Sequence, residues 1–119
     1  MPILGFKRHN MKPIRQGRKR QTIRKVRKYP IQPGEILCMW VGLRTKNTEK
    51  IGQYICKSVT PVEIHVSGYI LDGGDGEAVI HPDELTQFAN ADGFETWQDL
   101  VQFFGGYYEL PFEGVLITW

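Results

Sequence analysis

Gly17-Arg18-Lys19-Arg20-Gln21-Thr22-Ile23-Arg24 is the stretch on which the fold of this chain turns. It passes from a glycine, which bends easily, into residues that suit an extended strand. Alternate side chains of a strand share a face, so Thr22 and Arg24 point the same way, with Arg20 able to join them. Lys19 stands three residues before Thr22 and faces oppositely in any regular strand. It can meet Thr22 only from the turn that precedes the strand, and Gly17 makes such a turn easy. An ammonium, a hydroxyl and a guanidinium gathered in this way suit a phosphate or a carbonyl oxygen.

On the N-terminal side, a short helix is expected from about His9 to Gln16, with Gly17 just past its end and Pro13 limiting its length. On the C-terminal side, residues 20 to 27 read as a strand, and Gln32-Pro33-Gly34-Glu35 fits a type II turn. The nearly continuous apolar run from Glu35 to Leu43 reads as a central strand. Ile51–Val59 and Val62–Val66 are β-rich and separated by Thr60-Pro61. Asp72-Gly73-Gly74-Asp75-Gly76 is expected to turn, with a short strand at Ala78–Ile80. Pro82 opens a helix that puts Leu85, Phe88 and Ala89 on one face. Thr96-x-x-Asp99 caps a second helix, striped by Trp97, Leu100, Val101 and Phe104 and ended by Gly105-Gly106. Val115–Trp119 is a last strand. The expectation is one α+β, mostly β domain across residues 1–119, a barrel that the last strand helps to close.

Composition fits a globular protein, with 41% hydrophobic residues and no 18-residue apolar run to span a membrane. The net charge of +2 hides a strong asymmetry. Of the 15 Lys and Arg, 11 lie in residues 1–28, a segment without an acid, while all 13 Asp and Glu lie beyond it. Such asymmetry points to an anionic partner, or to basic surface docking on acidic surface within the fold. Cys38 and Cys56 both sit in apolar strands and are expected as buried free thiols, which suits a reducing, cytoplasmic setting. The basic start lacks the apolar core of a secretion signal and the serines of a transit peptide.

Together, Gly17-x-Lys19-x-x-Thr22-x-Arg24, Pro33-Gly34-Glu35-Ile36-Leu37 and Asp92-Gly93-Phe94 before a helix resemble an ASCH domain, a branch of the PUA-like barrels. The resemblance covers essentially the whole chain, from Ile3 to the last strand. It implies a PUA-like barrel with two helices inserted before the closing strand and a cleft associated with RNA or nucleotide binding. Some small members are similar to amidohydrolases that remove the acetyl group of acetylcytidine with a lysine, a threonine and a glutamate. By the motif, the lysine and threonine fall on Lys19 and Thr22. The acid falls on Asp92, across a one-residue gap and with a shorter side chain; Glu95 and Glu84 are the nearest substitutes.

Three functions stay open. The first is binding of RNA, a nucleotide or a nucleoside by Arg18, Lys19, Arg20, Thr22 and Arg24, with Arg44 and Lys46 at the cleft mouth or simply in a polar hairpin loop. The second is hydrolysis of an acylated nucleoside, with Lys19 as base, Thr22 as nucleophile and Asp92 orienting the lysine or handling the proton. The third is docking on an acidic protein. Tyr29, Trp40 and Tyr54 could stack on bases, although Trp40, in the most apolar run, is expected in the core. His9, His65 and His81 lack ligand spacing, so neither a metal nor another cofactor is expected. The helix at Thr96 carries Glu95 and Asp99 and no basic residue, which excludes it as a DNA-reading helix.

Overall fold

A computed structural model describes residues 1–71 and 76–119; the turn expected from Asp72 falls, at 72–75, outside the described residues. In chain order the elements are β1 (Ile3–Phe6), α1 (Met11–Arg15), β2 (Gln21–Arg24), β3 (Ile36–Val41), β4 (Glu49–Ile55), β5 (Ser58–His65) and β6 (Gly68–Leu71). Then come α2 (Pro82–Ala91), α3 (Trp97–Tyr107) and β7 (Phe112–Thr118). The molecule is α+β and mostly β, and no helix among the described residues is long and apolar enough to cross a membrane.

The strands form two sheets, ordered β1-β3-β4 and β2-β7-β5-β6. The apolar run that reads as a central strand is β3, flanked by β1 in parallel and β4 in antiparallel. β7 is central to the other sheet, and its alternation feeds two cores. Phe112 and Leu116 join Ile23, Ile64, Phe88 and Phe104 beneath α2 and α3. Ile117 and Trp119 face the other way and join Leu4, Ile14, Leu37 and Met39. Burying each such side chain is worth about 1.5–3 kcal/mol, so a two-faced central strand ties the two halves into one cooperative structure.

The sheets do not join into one closed barrel among the described residues. Where closure would pair β1 with β2, two guanidinium groups bridge instead. Arg24 Nη2 donates to Gly5 O at 2.7 Å, and Arg27 Nη2 donates to Ile3 O at 2.6 Å. Carbonyls two residues apart leave a strand on the same edge, so those of Ile3 and Gly5 both face the segment that carries Arg24 and Arg27. The bridged edge leaves room between the sheets, and the candidate site opens there.

Local expectations hold with the following corrections. The helix expected at His9–Gln16 begins as a 3-10 turn at Arg8–Asn10 and becomes α-helical only at Met11; Gly17, at φ 76°, follows its end. The strand expected over residues 20–27 stops at Arg24, and Lys25 to Pro30 run exposed. Pro61 does not split β5. It pairs with Val115 and lies outside the Val62–His65 stretch that pairs with β6, so its missing N–H takes nothing from that ladder; the break between the strands falls at Cys56-Lys57 instead. Gly105-Gly106 does not end α3, which continues to Tyr107 because that ring packs on Phe103 one turn earlier, centroids 4.8 Å apart. Of the short strand expected at Ala78–Ile80, only a single bridge from Val79 to Tyr69 forms. The other features match: Gly34 has φ 91° in the turn before β3, Thr96 caps α3, and Leu85, Phe88 and Ala89 are buried. Cys38 and Cys56 are buried and unpaired with each other.

Candidate functional site

The turn after α1 is built so that Lys19 points inward. The main-chain N–H groups of Arg18 and Lys19 both donate to Pro13 O, at 2.9 and 3.1 Å, and fold the segment back over the short helix. Lys19 is thereby carried under the protein surface, only 4% exposed, with its ammonium donating to the main-chain carbonyl of Asp92. Thr22 and Arg24 project from one face of β2, as alternation requires, and the Arg24 Nε–H donates to Thr22 Oγ1 at 3.0 Å. The Arg24 guanidinium also lies over the Phe6 ring, 4.7 Å from its centre.

Asp92 enters from the far end of the sequence, at the C-terminal cap of α2, and is 6% exposed. The chain turns away at Gly93, whose φ of 95° is a left-handed conformation that glycine adopts without strain. A Cβ there would stand 3.4 Å from Lys19 Cδ and 3.5 Å from its Nζ. Gly93 therefore lets the α2–α3 connection settle against the lysine. The structure brings Asp92, and neither Glu84 nor Glu95, to the motif; both glutamates are exposed and outside the site.

Burial dominates the electrostatics. It raises the Asp92 carboxyl to about 6, against the opposing pull of Lys19, the Gln21 amide and Arg24. It lowers the Lys19 ammonium below its usual range, with Asp92 resisting and Arg24 assisting. The Arg24 guanidinium is lowered by burial too, and a guanidinium so far above neutrality keeps its charge. Asp92 Oδ1 and Gln21 Nε2 are buried without a hydrogen bond of normal geometry. A polar cluster this poorly satisfied costs stability, and such clusters gather at functional sites.

These side chains line a cavity of about 790 Å³ between the sheets. Its inner wall holds Lys19, Thr22, Arg24 and Asp92; Phe6, Phe94, Phe103 and Tyr108 supply aromatic surface, and Lys7, Arg8, His9 and Asn10 stand along one side. Sequence reading missed this aromatic wall. Phe103 lies one helical turn after Leu100 of the expected apolar stripe, which was the available signal, whereas nothing local marks Phe6. Arg18 and Arg20 are exposed and do not line the cavity, and Arg18 Nε instead donates to Gln16 Oε1 at 2.9 Å. Arg44 and Lys46 lie on the exposed loop after β3; their neighbours Thr45 and Asn47 reach the cavity and they do not. Tyr29 is 80% exposed, Trp40 is half-buried on the outer face of its sheet and belongs to neither core, and neither of them nor Tyr54 lines the cavity. Among the described residues, no group of three or more His, Cys, Asp or Glu is placed to hold a metal ion. No family model, curated protein or solved structure matches the chain.

Proposed function

We propose that this chain is a PUA-like domain of the ASCH type that binds a nucleoside or nucleotide, free or as part of an RNA, in the cavity between its two sheets. One observation carries the reading: Lys19, Thr22 and Arg24 of a single motif meet Asp92 in one wall of a half-open cavity. The cavity volume lies within the roughly 300–1,000 Å³ of small-molecule sites. Nucleobase edges mix N–H donors with carbonyl and ring-nitrogen acceptors, and this wall offers both partners. Lys19 and Arg24 donate, Asp92 accepts, and Thr22 does either. The aromatic wall supplies surface for a base to stack on. Calorimetric titration with the common nucleosides and nucleotides tests the proposal. Binding that Lys19→Met and Arg24→Met abolish supports it; no binding at millimolar ligand, or binding that both variants retain, removes it.

A specific observation favours one further reading, an amidohydrolase acting on an acylated nucleoside. Lys19 is buried with its pKa lowered, as a lysine base requires, and the Thr22 hydroxyl lines the same cavity. A neutral Lys19 would take the Thr22 proton as Oγ1 attacks the acyl carbon. The amine leaves with a proton, and water then releases the acid from the acyl-threonine. Binding remains the leading reading because the hydrogen bonds run elsewhere: Lys19 to Asp92 O, and Thr22 from Arg24. Incubation with acetylcytidine separates the two. Cytidine released by the wild type and by neither Lys19→Met nor Thr22→Val establishes hydrolysis.

A further inference from the structure

We infer, on the premise that the cavity takes a nucleoside, that its ligand carries a phosphate seated at the cavity mouth on Lys7. The charges of the lining do not balance. Among the described residues, Lys7, Arg8, Lys19 and Arg24 line the cavity, and Asp92 is its one acid. Arg8 is neutralised from outside the cavity by Glu49, at 3.1 Å. The other three cations have neutral hydrogen-bond partners. Lys7 Nζ donates to Tyr107 Oη at 3.3 Å, Lys19 to the Asp92 main-chain carbonyl, and Arg24 to Thr22 Oγ1 and Gly5 O. Three cations therefore face a single carboxylate, and a neutral nucleoside leaves that excess in place. A phosphate offsets it.

Position assigns the phosphate to the mouth. Lys19 and Arg24 sit at the inner wall with Asp92, where the base finds its donors and acceptor, while Lys7 is exposed. Its ammonium stands 5.8 Å from the centre of the Phe103 ring and 5.5 Å from that of Tyr107. Aromatic faces and a phenol oxygen position a cation without cancelling its charge, which leaves it free for an anion from solvent. The half-buried Phe103, over which this ammonium sits, belongs to the same lining. The phosphate is either the monoester of a free nucleotide or a diester of a strand that inserts one base.

Calorimetry with four ligands tests this: a nucleoside, its 5′-monophosphate, a single-stranded trinucleotide with the same central base, and inorganic phosphate. The expected result is a monophosphate or trinucleotide bound about tenfold tighter than the nucleoside, a gain that shrinks as salt rises. In Lys7→Met the affinities converge, whereas Lys57→Met, remote from the cavity, keeps the difference. Tyr107→Phe retains the ring, removes the phenol contact and reduces the gain. A gain confined to the monophosphate identifies a free nucleotide; one shared by or greater for the trinucleotide identifies a strand. Equal affinity for nucleoside and both phosphorylated ligands, or a gain that survives Lys7→Met, overturns the phosphate site and leaves nucleoside binding standing. Inorganic phosphate alone binding as tightly as the nucleotides, with no nucleoside bound, overturns the underlying reading of the cavity instead.

Discussion

Lys19 reaches across 73 positions of sequence to donate to the main-chain carbonyl of Asp92, while the Asp92 carboxylate itself keeps a buried oxygen without a hydrogen bond. The contact that locks the two segments together is thus separable from the charge that occupies the site. Asp92→Asn keeps the carbonyl and removes the charge. In the unfolded chain the carboxyl titrates near 3.8 and in the folded protein near 6. Between these values the folded state holds a proton that the unfolded state has lost, so stability falls as pH rises from about 4 to 6 and stays lower above. The loss is about 3 kcal/mol. Lys19, lowered, acts with the opposite sign and only at higher pH, where stability recovers as the unfolded chain alone stays protonated. Urea melts across pH 4–7 are expected to show this decline in the wild type and not in Asp92→Asn. At pH 7 the variant should be at least as stable and should lose ligand affinity. A flat wild-type profile contradicts the account.

The Arg24 guanidinium holds Thr22 and closes the gap to β1 with one planar fork. Arg24→Met keeps much of the side-chain volume and removes both hydrogen bonds. Hydrogen bonds from charged donors are worth about 1.5–3 kcal/mol each, and this side chain is half-buried, so a net loss of about 2–3 kcal/mol is expected by urea denaturation. Arg24→Lys should recover less than half of it, because an ammonium cannot reproduce the fork. A loss below about 0.5 kcal/mol in Arg24→Met would show that packing alone joins the two sheets at this edge.

Local physics made much of this legible in advance. Strand alternation is a short-range rule, and it put Thr22 and Arg24 on one face; the position of Gly17 put Lys19 on the turn. Helix α3 was legible from Thr96 and its apolar stripe, and α2 from Pro82. Long-range contacts were not legible in the same way. Nothing near Gly5 or Ile3 announces that their carbonyls will be taken by arginines of a later segment. Nor does any periodicity encode that, among the described residues, the two sheets do not close into one barrel. Asp92 was reachable only through resemblance to a family pattern, since one acid at a helix end is ordinarily a cap. Charge clustering also misled: a basic run looks uniform in sequence, yet burial sorts it, taking Lys19 and Arg24 into the cavity and leaving Arg18 and Arg20 outside.

Gly93 and Gly17 form a matched pair. Both have positive φ, 95° and 76°, and alanine at either costs about 1–2 kcal/mol of backbone strain. Their surroundings differ. A Cβ at Gly17 meets nothing within 4 Å, whereas one at Gly93 meets Asn10 Oδ1 at 3.2 Å and the Lys19 side chain just beyond. Gly93→Ala is therefore expected to lose ligand affinity as well as stability, through displacement of Lys19. Gly17→Ala should lose a similar amount of stability and bind normally. Equal effects of the two on binding would show that the site is insensitive to the position of Lys19.

The exposed arginines offer a test that the cavity residues cannot. Arg18 and Arg20 point into solvent outside the cavity, so they cannot contact a single nucleotide held within it, but they can contact the backbone of a longer strand. Each phosphate neutralised on a single strand releases counterions, and affinity then falls with salt at a slope of about 0.7 per contact. The double variant Arg18→Glu, Arg20→Glu should leave mononucleotide affinity within about twofold. If RNA is the ligand, the variant should weaken strand binding and reduce the slope of log K against log salt by about 1.4, two contacts' worth. Fluorescence anisotropy with a labelled single strand over a range of salt concentrations reads both. A strand bound with unchanged slope would mean that its backbone runs past another face, and the exposed Lys25 to Tyr29 segment that follows β2 would then be the next to reverse.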